Sequence, residues 1–222
     1  MRLMDFVAVK ETLPPEADLI GVTFVRFEQG IPAWLVERMV RFWHKNAFRL
    51  AATHCRTIAL WGQGGPLYSQ RVADVRSLLD AGFSIAWCGP DGAIPLGCEL
   101  HDWQPPEKLP QWAATHAVAC MSVGLRSDVQ GYHSDSLLLA LASGLPVLKR
   151  DDGSHSDWPC FTYQNTAQLV QYAQKTIDGE LPTEALRKRV FRWLKERGTL
   201  QTTVRILADL IAKFAAGADL LS

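Results

Sequence analysis

The 222-residue chain has no net charge: 23 basic side chains balance 23 acidic ones. Proteins that coat nucleic acid by charge alone carry a basic excess, so that class gains no support, although a local basic patch is still allowed. No apolar run approaches the roughly 20 residues that a membrane helix needs. The opening run MRLMDFVAVKETLPPE is interrupted by charge too early for a secretory leader. The five cysteines (Cys55, Cys88, Cys98, Cys120, Cys160) are scattered and form no C-x-x-C pair, which argues against a zinc knuckle. A reducing cytoplasm fits them best. Cys88 and Cys120 lie in apolar runs and read as buried thiols. There is no His-x-x-x-His spacing for a metal and no G-x-S-x-G elbow for a hydrolase. No internal repeat or low-complexity linker breaks the chain.

What is present alternates. Residues 17–27 read as a strand rich in β-branched and aromatic residues. Pro32 opens a helical stretch to about residue 54, with Trp34, Leu35, Met39, Phe42, Trp43, Phe48 and Leu50 at helical spacing. Arg38, Arg41, Lys45 and Arg49 between them read as its solvated face. Strands are expected at 57–61, 83–87, 116–123, after Pro146 and at 161–163. Helices are expected at 69–81, 107–115, after Ser134, and at 166–178, 183–197 and 200–216. Strands alternating with helices imply parallel βαβ units with ligands at the C-terminal strand ends. Of eight tryptophans, most are expected in the core and some at a recognition surface.

The segment Gly131–Leu148 gathers Tyr132, His133, Ser134 and Asp135 at the mouth of a small-residue helix, which Gly144 ends in a left-handed turn before Pro146. Free N–H groups and the helix dipole favour an anion there, phosphate included. Gly62-Gln63-Gly64-Gly65 stands between a strand and a helix, the place for a phosphate-cradling loop, or for a tight turn that needs glycine by geometry alone. It lacks the third glycine of G-x-G-x-x-G and the lysine of a P-loop. Asp91, the acidic residue a nicotinamide site would use, lies further from Gly62 than the usual ~20 residues. Arg126 follows the third strand. It reads either as a bidentate diphosphate clamp or as a surface arginine paired with Asp128. Arg187, Lys188, Arg189, Arg192, Lys195 and Arg197 crowd one helix, either as a solvated surface or as a patch that steers a polyanion.

Four motifs in order resemble the C-terminal, nucleotide-sugar-binding half of a GT-B glycosyltransferase. They are Thr57-Ile58-Ala59-Leu60-Trp61-Gly62, Ile85-Ala86-Trp87-Cys88-Gly89, His101-Asp102-Trp103-Gln104-Pro105-Pro106-Glu107-Lys108-Leu109-Pro110, and Tyr132-His133-Ser134-Asp135 with Ala140 to Pro146. The last is similar to the donor loop of the spore-maturation-like glycosyltransferases. The resemblance covers about 150 residues.

The resemblance implies an α/β fold, a Rossmann-like parallel sheet with flanking helices. It implies a nucleotide-sugar donor and no required cofactor or metal. It places donor contacts at Gly62, Gln63, Gly64, Gly65, Gly89, Asp91, Arg126, Tyr132 and Ser134, with His133 or Asp135 as general base. The family pattern has an arginine where this chain has Ser136. It also has a ribose-binding glutamate where this chain has Leu139, and leucine accepts no hydrogen bond. Ribose recognition then falls to Asp135 or Asp91.

Residues 1–55 provide one strand and one long helix, too little for a complete acceptor domain, and 56–222 form the donor-binding unit. The acceptor side is thus minimal, absent, or supplied by a second copy or a partner subunit. The acceptor is unspecified; a base in nucleic acid is one option, raised by the basic helix and the tryptophans. The competing readings are a non-catalytic nucleotide- or nucleotide-sugar-binding module of the same fold, and a Rossmann-type dinucleotide oxidoreductase resting on Gly62 and Gly64.

Overall fold

The computed structural model describes residues 30–50, 56–62, 69–89, 94–122, 135–151, 158–181 and 183–215. In chain order these form α1 (Ala33–Leu50), β1 (Thr57–Trp61), α2 (Ser69–Asp80), β2 (Ser84–Cys88), β3 (Cys98–His101), α3 (Leu109–His116) and β4 (Ala119–Ser122). They continue with α4 (Asp135–Ala142), β5 (Val147–Arg150), β6 (Phe161–Tyr163), α5 (Thr166–Ile177) and α6 (Thr183–Trp193). A π-helical turn (Leu194–Gly198) then leads into α7 (Leu200–Ala215). The strand expected at 17–27 lies outside the described residues.

The six strands pair in parallel in the order β3-β2-β1-β4-β5-β6. Both faces of such a sheet must be covered, so its strands read as unbroken apolar runs rather than alternating ones. The alternation of strand side chains divides the core. Ile58, Leu60, Ile85, Trp87, Met121 and Leu148 point to one face and meet Val75 and Leu78 of α2 and Leu169 and Ala173 of α5. Ala59, Ala86, Cys88, Cys120 and Val147 point to the other. These are mostly small, and that lets α4, buried from Leu137 to Ala142, lie close to the sheet. Leu35, Val36, Met39 and Trp43 of α1 and Leu186 and Val190 of α6 join this second cluster, so α1 shares the core of the sheet domain.

Local chemistry sets the element ends. Asn165 caps α5, its side chain accepting from the Gln168 N–H at 3.0 Å. Gly144 ends α4 at φ +74°. A Cβ there would stand 2.6 Å from Trp43 Nε1, so the position is glycine by conformation and by space. The loose end of α4 is tied down from two helices. Trp43 Nε1 donates to the Ser143 carbonyl, and Arg187 Nε donates to the Gly144 carbonyl at 3.1 Å. The Arg187 guanidinium lies 3.6 Å from the Trp43 ring centroid and pairs with Glu184 at 2.6 Å. A cation at the C-terminal end of α4 also suits its dipole.

Several of the expected outlines shift. The strand expected at 83–87 runs Ser84–Cys88, and the one expected over 116–123 narrows to Ala119–Ser122, because His116 closes α3. The helix expected to reach residue 197 changes to the wider π turn after Trp193. β3 arises where a Pro-rich connection was expected. It is short, contains Cys-Glu-Leu-His and sits at the sheet edge. The thiols expected to be buried are so: Cys88 and Cys120 are both enclosed, and burial pushes the Cys120 thiol up to about 12.

Candidate functional site

A parallel sheet of this order reverses its winding between β1 and β4. The crevice outside the carboxyl ends of those two strands is where such folds bind ligands. The segments that follow β1 (63–68), β2 (90–93), β4 (123–134) and β5 (152–157) lie outside the described residues. Gln63, Gly64, Gly65, Asp91, Arg126, Tyr132, His133 and Ser134 therefore fall outside them. Asp135 is placed as the first residue of α4, so the 12-residue connection from β4 does feed a helix N-terminus at the rim. Its side chain is outside the description.

Gly62 and Gly89, the two expected donor contacts that are described, form one junction. The Gly62 N–H donates to the Cys88 carbonyl at 3.1 Å, and Trp87 Nε1 donates to the Gly62 carbonyl at 2.9 Å. A Cβ on Gly89 would collide with the Gly62 carbonyl oxygen. Gly62 holds φ +115°, and a Cβ on it would stand 2.7 Å from Arg71 Nη1. Packing between two strand ends and an arginine thus suffices to explain both glycines.

Arg71 is the functional candidate that sequence reasoning missed. It sits in the first turn of α2, only 8% exposed, with its guanidinium against the end of β1. A buried cation at the switch point suits an anionic ligand. Nothing local in the sequence distinguishes it from any other helix arginine. One turn on, Asp74 is fully buried and collects four donors. Arg150 Nη2 and Nε donate at 2.7 and 3.0 Å, the Tyr163 hydroxyl at 2.9 Å and Gln70 Nε2 at 3.1 Å. This network ties α2 to the carboxyl ends of β5 and β6. Hydrogen bonding to Asp74 holds the Arg150 guanidinium above its ordinary range, and burial raises the Tyr163 phenol well above its own.

Ser122 and Lys149, paired in register at the ends of β4 and β5, are both buried on the opposite face of the rim. Trp103, two residues past β3, keeps 54% of its surface exposed and offers an indole face for stacking. Of the other tryptophans, Trp43, Trp61, Trp87 and Trp112 are core residues, Trp158 and Trp193 pack partly buried against the core, and Trp34 is exposed, so half of the eight rather than most are in the core.

Leu139 and the basic helix also bear on chemistry. Leu139, standing where the family pattern has its ribose-binding glutamate, is a core side chain packed with Leu137, Leu138 and Leu141. In the basic helix, Lys188, Arg189, Arg192, Lys195 and Arg197 are exposed. Arg187 is not part of that surface: it clamps α4, and burial lowers its affinity for a proton while Glu184 raises it. Among the described residues no group of three or more His, Cys, Asp or Glu side chains could hold a metal ion, and no helix is long and apolar enough to cross a membrane.

No protein-family model matches the chain, and no curated protein sequence does either. Solved structures match its fold. Anabaena Alr3699/HepE, solved with UDP and glucose, is 10% identical with a TM-score of 0.58 over 83% of this chain and 55% of its own. T4 phage BGT, solved with its UDP-glucose substrate, is 13% identical with a TM-score of 0.50 over 76% of this chain and 50% of its own. The six-stranded parallel sheet with flanking helices is thus the fold of part of a GT-B glycosyltransferase. This chain spans about half the length of those proteins.

Proposed function

We propose that this protein binds a nucleotide-sugar, a UDP-sugar first of all, at the carboxyl ends of β1 and β4 and transfers the sugar to an acceptor. In this reading it acts as the nucleotide-sugar-binding, C-terminal-type half of a GT-B glycosyltransferase, in the spore-maturation-like subgroup. One observation carries the proposal: the sheet reverses between β1 and β4 beside a glycine junction that holds a buried guanidinium, Arg71. Solved proteins that hold UDP-sugars share the fold, which supports the reading.

The chemistry follows from where charge develops. The acceptor attacks the anomeric carbon, the new glycosidic bond forms, and the bond from that carbon to the diphosphate oxygen breaks. The leaving nucleoside diphosphate gains negative charge. Fixed N–H groups at the start of α4, with Arg126 and Arg71, oppose that charge without reorganising. Tyr132 and Ser134 donate hydrogen bonds to the same group. The Gly62–Gly65 turn lets donor atoms approach backbone closely, and Gly89 and Asp91 border the nucleoside. Asp135 or His133 takes the proton of the acceptor. No metal or organic cofactor is needed, because guanidinium and helix dipole supply the positive field.

A second reading is favoured by Leu139: a module of the same fold that binds nucleotide-sugar without transferring the sugar. Its core position provides no ribose contact. Thermal shift separates the readings. A ligand at one hundred times its dissociation constant adds about 2.7 kcal/mol, or about 5–10 °C for a chain of this size. UDP-glucose is expected to raise Tm on that scale and nicotinamide dinucleotide is not. Arg126→Ala and Arg71→Ala each weaken binding by about 10–100-fold, as expected for a lost charged contact. Release of UDP on addition of an acceptor supports transfer; a shift without release supports the binding module. A shift with nicotinamide dinucleotide alone would restore the oxidoreductase alternative, and no response to any nucleotide-sugar would overturn both leading readings.

A further inference from the structure

The sheet has an edge at β3, which pairs only with β2 among the described residues. The Gly89 N–H donates to the His101 carbonyl at 3.4 Å, so the His101 backbone faces β2. Backbone groups of successive strand residues turn to alternate sides, and the N–H and C=O of Leu100 therefore face outward. An open row of this kind is a template for another strand, and edges are ordinarily blunted with lysine, proline or a bulge. β3, Cys-Glu-Leu-His, contains neither lysine nor proline, and its residues pair one to one with β2 without a bulge.

The side chains along this edge are open as well. Leu100 keeps 51% of its surface in solvent, Leu96 before the strand 99% and Trp103 after it 54%. On the other face of the strand Glu99 is exposed and His101 half-buried. Glu99 Oε1 comes within 3.3 Å of His101 Nε2 but out of line for a hydrogen bond, which leaves that nitrogen without a hydrogen-bond partner.

We infer that β3 is a self-pairing edge: two copies of this chain join antiparallel through β3 about a two-fold axis at Leu100. The register selects a second copy as the occupant. In a two-fold contact residue i meets j and j meets i. With Leu100 opposite Leu100 of the second copy, the outward N–H and C=O of each donate to and accept from the other. The positions on either side of such a pair are non-hydrogen-bonded pairs, whose Cα atoms stand only about 4.5 Å apart. Glu99 then stands opposite His101 of the second copy, and His101 opposite its Glu99. Carboxylate meets imidazole twice on one face, and leucine meets leucine on the other; cross-strand pairs of both kinds are favourable. At each end of the ladder Leu96 of one copy lies beside the point where Trp103 of the other leaves its strand, which widens the apolar contact. The sheet continues unbroken through both copies. This contact is independent of what the rim of the sheet binds.

The test is sedimentation velocity of the full chain over a range of concentrations, with oxidative cross-linking alongside. The parent is expected to sediment as a concentration-dependent dimer. Leu100→Lys sets two ammonium groups directly opposite each other and removes the leucine pair, so the dimer dissociation constant is expected to rise about tenfold or more, with circular dichroism unchanged. Leu100→Cys decides the matter if the lysine variant misfolds. Opposite residues of a hydrogen-bonded pair stand about 5.5 Å apart at Cα, within disulfide reach. With copper phenanthroline, Leu100→Cys is expected to form a covalent dimer about tenfold faster or more than Glu180→Cys, an exposed position on no strand. A parent that is monomeric at every concentration overturns the inference. So does a folded Leu100→Lys variant that dimerises like the parent, or a Leu100→Cys variant that cross-links no faster than Glu180→Cys.

Discussion

Replacing Asp74 by alanine removes an acceptor on which four donors converge in a fully buried place. Arg150 loses two hydrogen bonds, at 2.7 and 3.0 Å, Gln70 loses one at 3.1 Å, and the buried Tyr163 hydroxyl loses its acceptor at 2.9 Å. Breaking a buried ion pair by deleting one member costs about 3–5 kcal/mol, since the remaining charge is stranded. Arg150 keeps 23% of its side chain in solvent and can rehydrate in part, which favours the low end, about 3 kcal/mol. With a urea m-value of about 2 kcal/mol/M, the midpoint falls by about 1.5 M, read by tryptophan fluorescence and circular dichroism together. Tyr163→Phe removes one hydroxyl and costs about 1 kcal/mol. In a double-mutant cycle, Asp74→Ala and Arg150→Met together cost less than the sum of the two single changes, because the second deletion removes the stranded charge. Additive losses, or an Asp74→Ala cost below about 1 kcal/mol, would refute the claim that this network fastens α2 to β5 and β6.

Three further outcomes follow from named contacts. Gly144→Ala forces a side chain into φ +74° against Trp43 and Phe191 and costs about 3 kcal/mol, measured by the same urea titration. Because burial pushes the Cys120 thiol up to about 12 from its ordinary 9.0, the folded state binds more protons than the unfolded state between those limits. Stability therefore falls as pH rises above about 9, by about 1.4 kcal/mol at about pH 10, and Cys120→Ala loses that share of the slope. Arg187→Met removes the charge from Trp43 and the donor from the Gly144 carbonyl; a loss of about 2 kcal/mol is expected, with a blue-shifted or less quenched tryptophan signal.

The sheet was legible where its strands are rich in apolar or aromatic residues, edge strand β6 included. Thr57–Trp61 and Phe161–Tyr163 lie where residue patterning puts them, and the Gly144 turn has the expected left-handed backbone. β3 was not legible, because its four residues, Cys-Glu-Leu-His, mix polar with apolar side chains and none of them is fully buried. The site divides the same way. Gly62 and Gly89 stood out as glycines after strands, yet the reason each is glycine lies in the other's backbone and in Arg71. Asp74, Arg150 and Tyr163 gave no local signal: the aspartate meets its partners across 76 and 89 residues of sequence. Pattern reading sees spacing along an element, whereas these contacts are set by sheet order. Leu139 shows the converse. Its mismatch with the family pattern was visible in the sequence, and the packing of α4 explains it as a core position.

The most direct test is an NMR titration of the full chain with UDP-glucose, followed through backbone amides. The account predicts that the Gly62, Gly89 and Asp135 amides move first and saturably, and that Arg71→Ala abolishes the movement at the same donor concentration. Unchanged amides at the carboxyl ends of β1 and β4 with millimolar donor, or shifts confined to another face of the sheet, would contradict it.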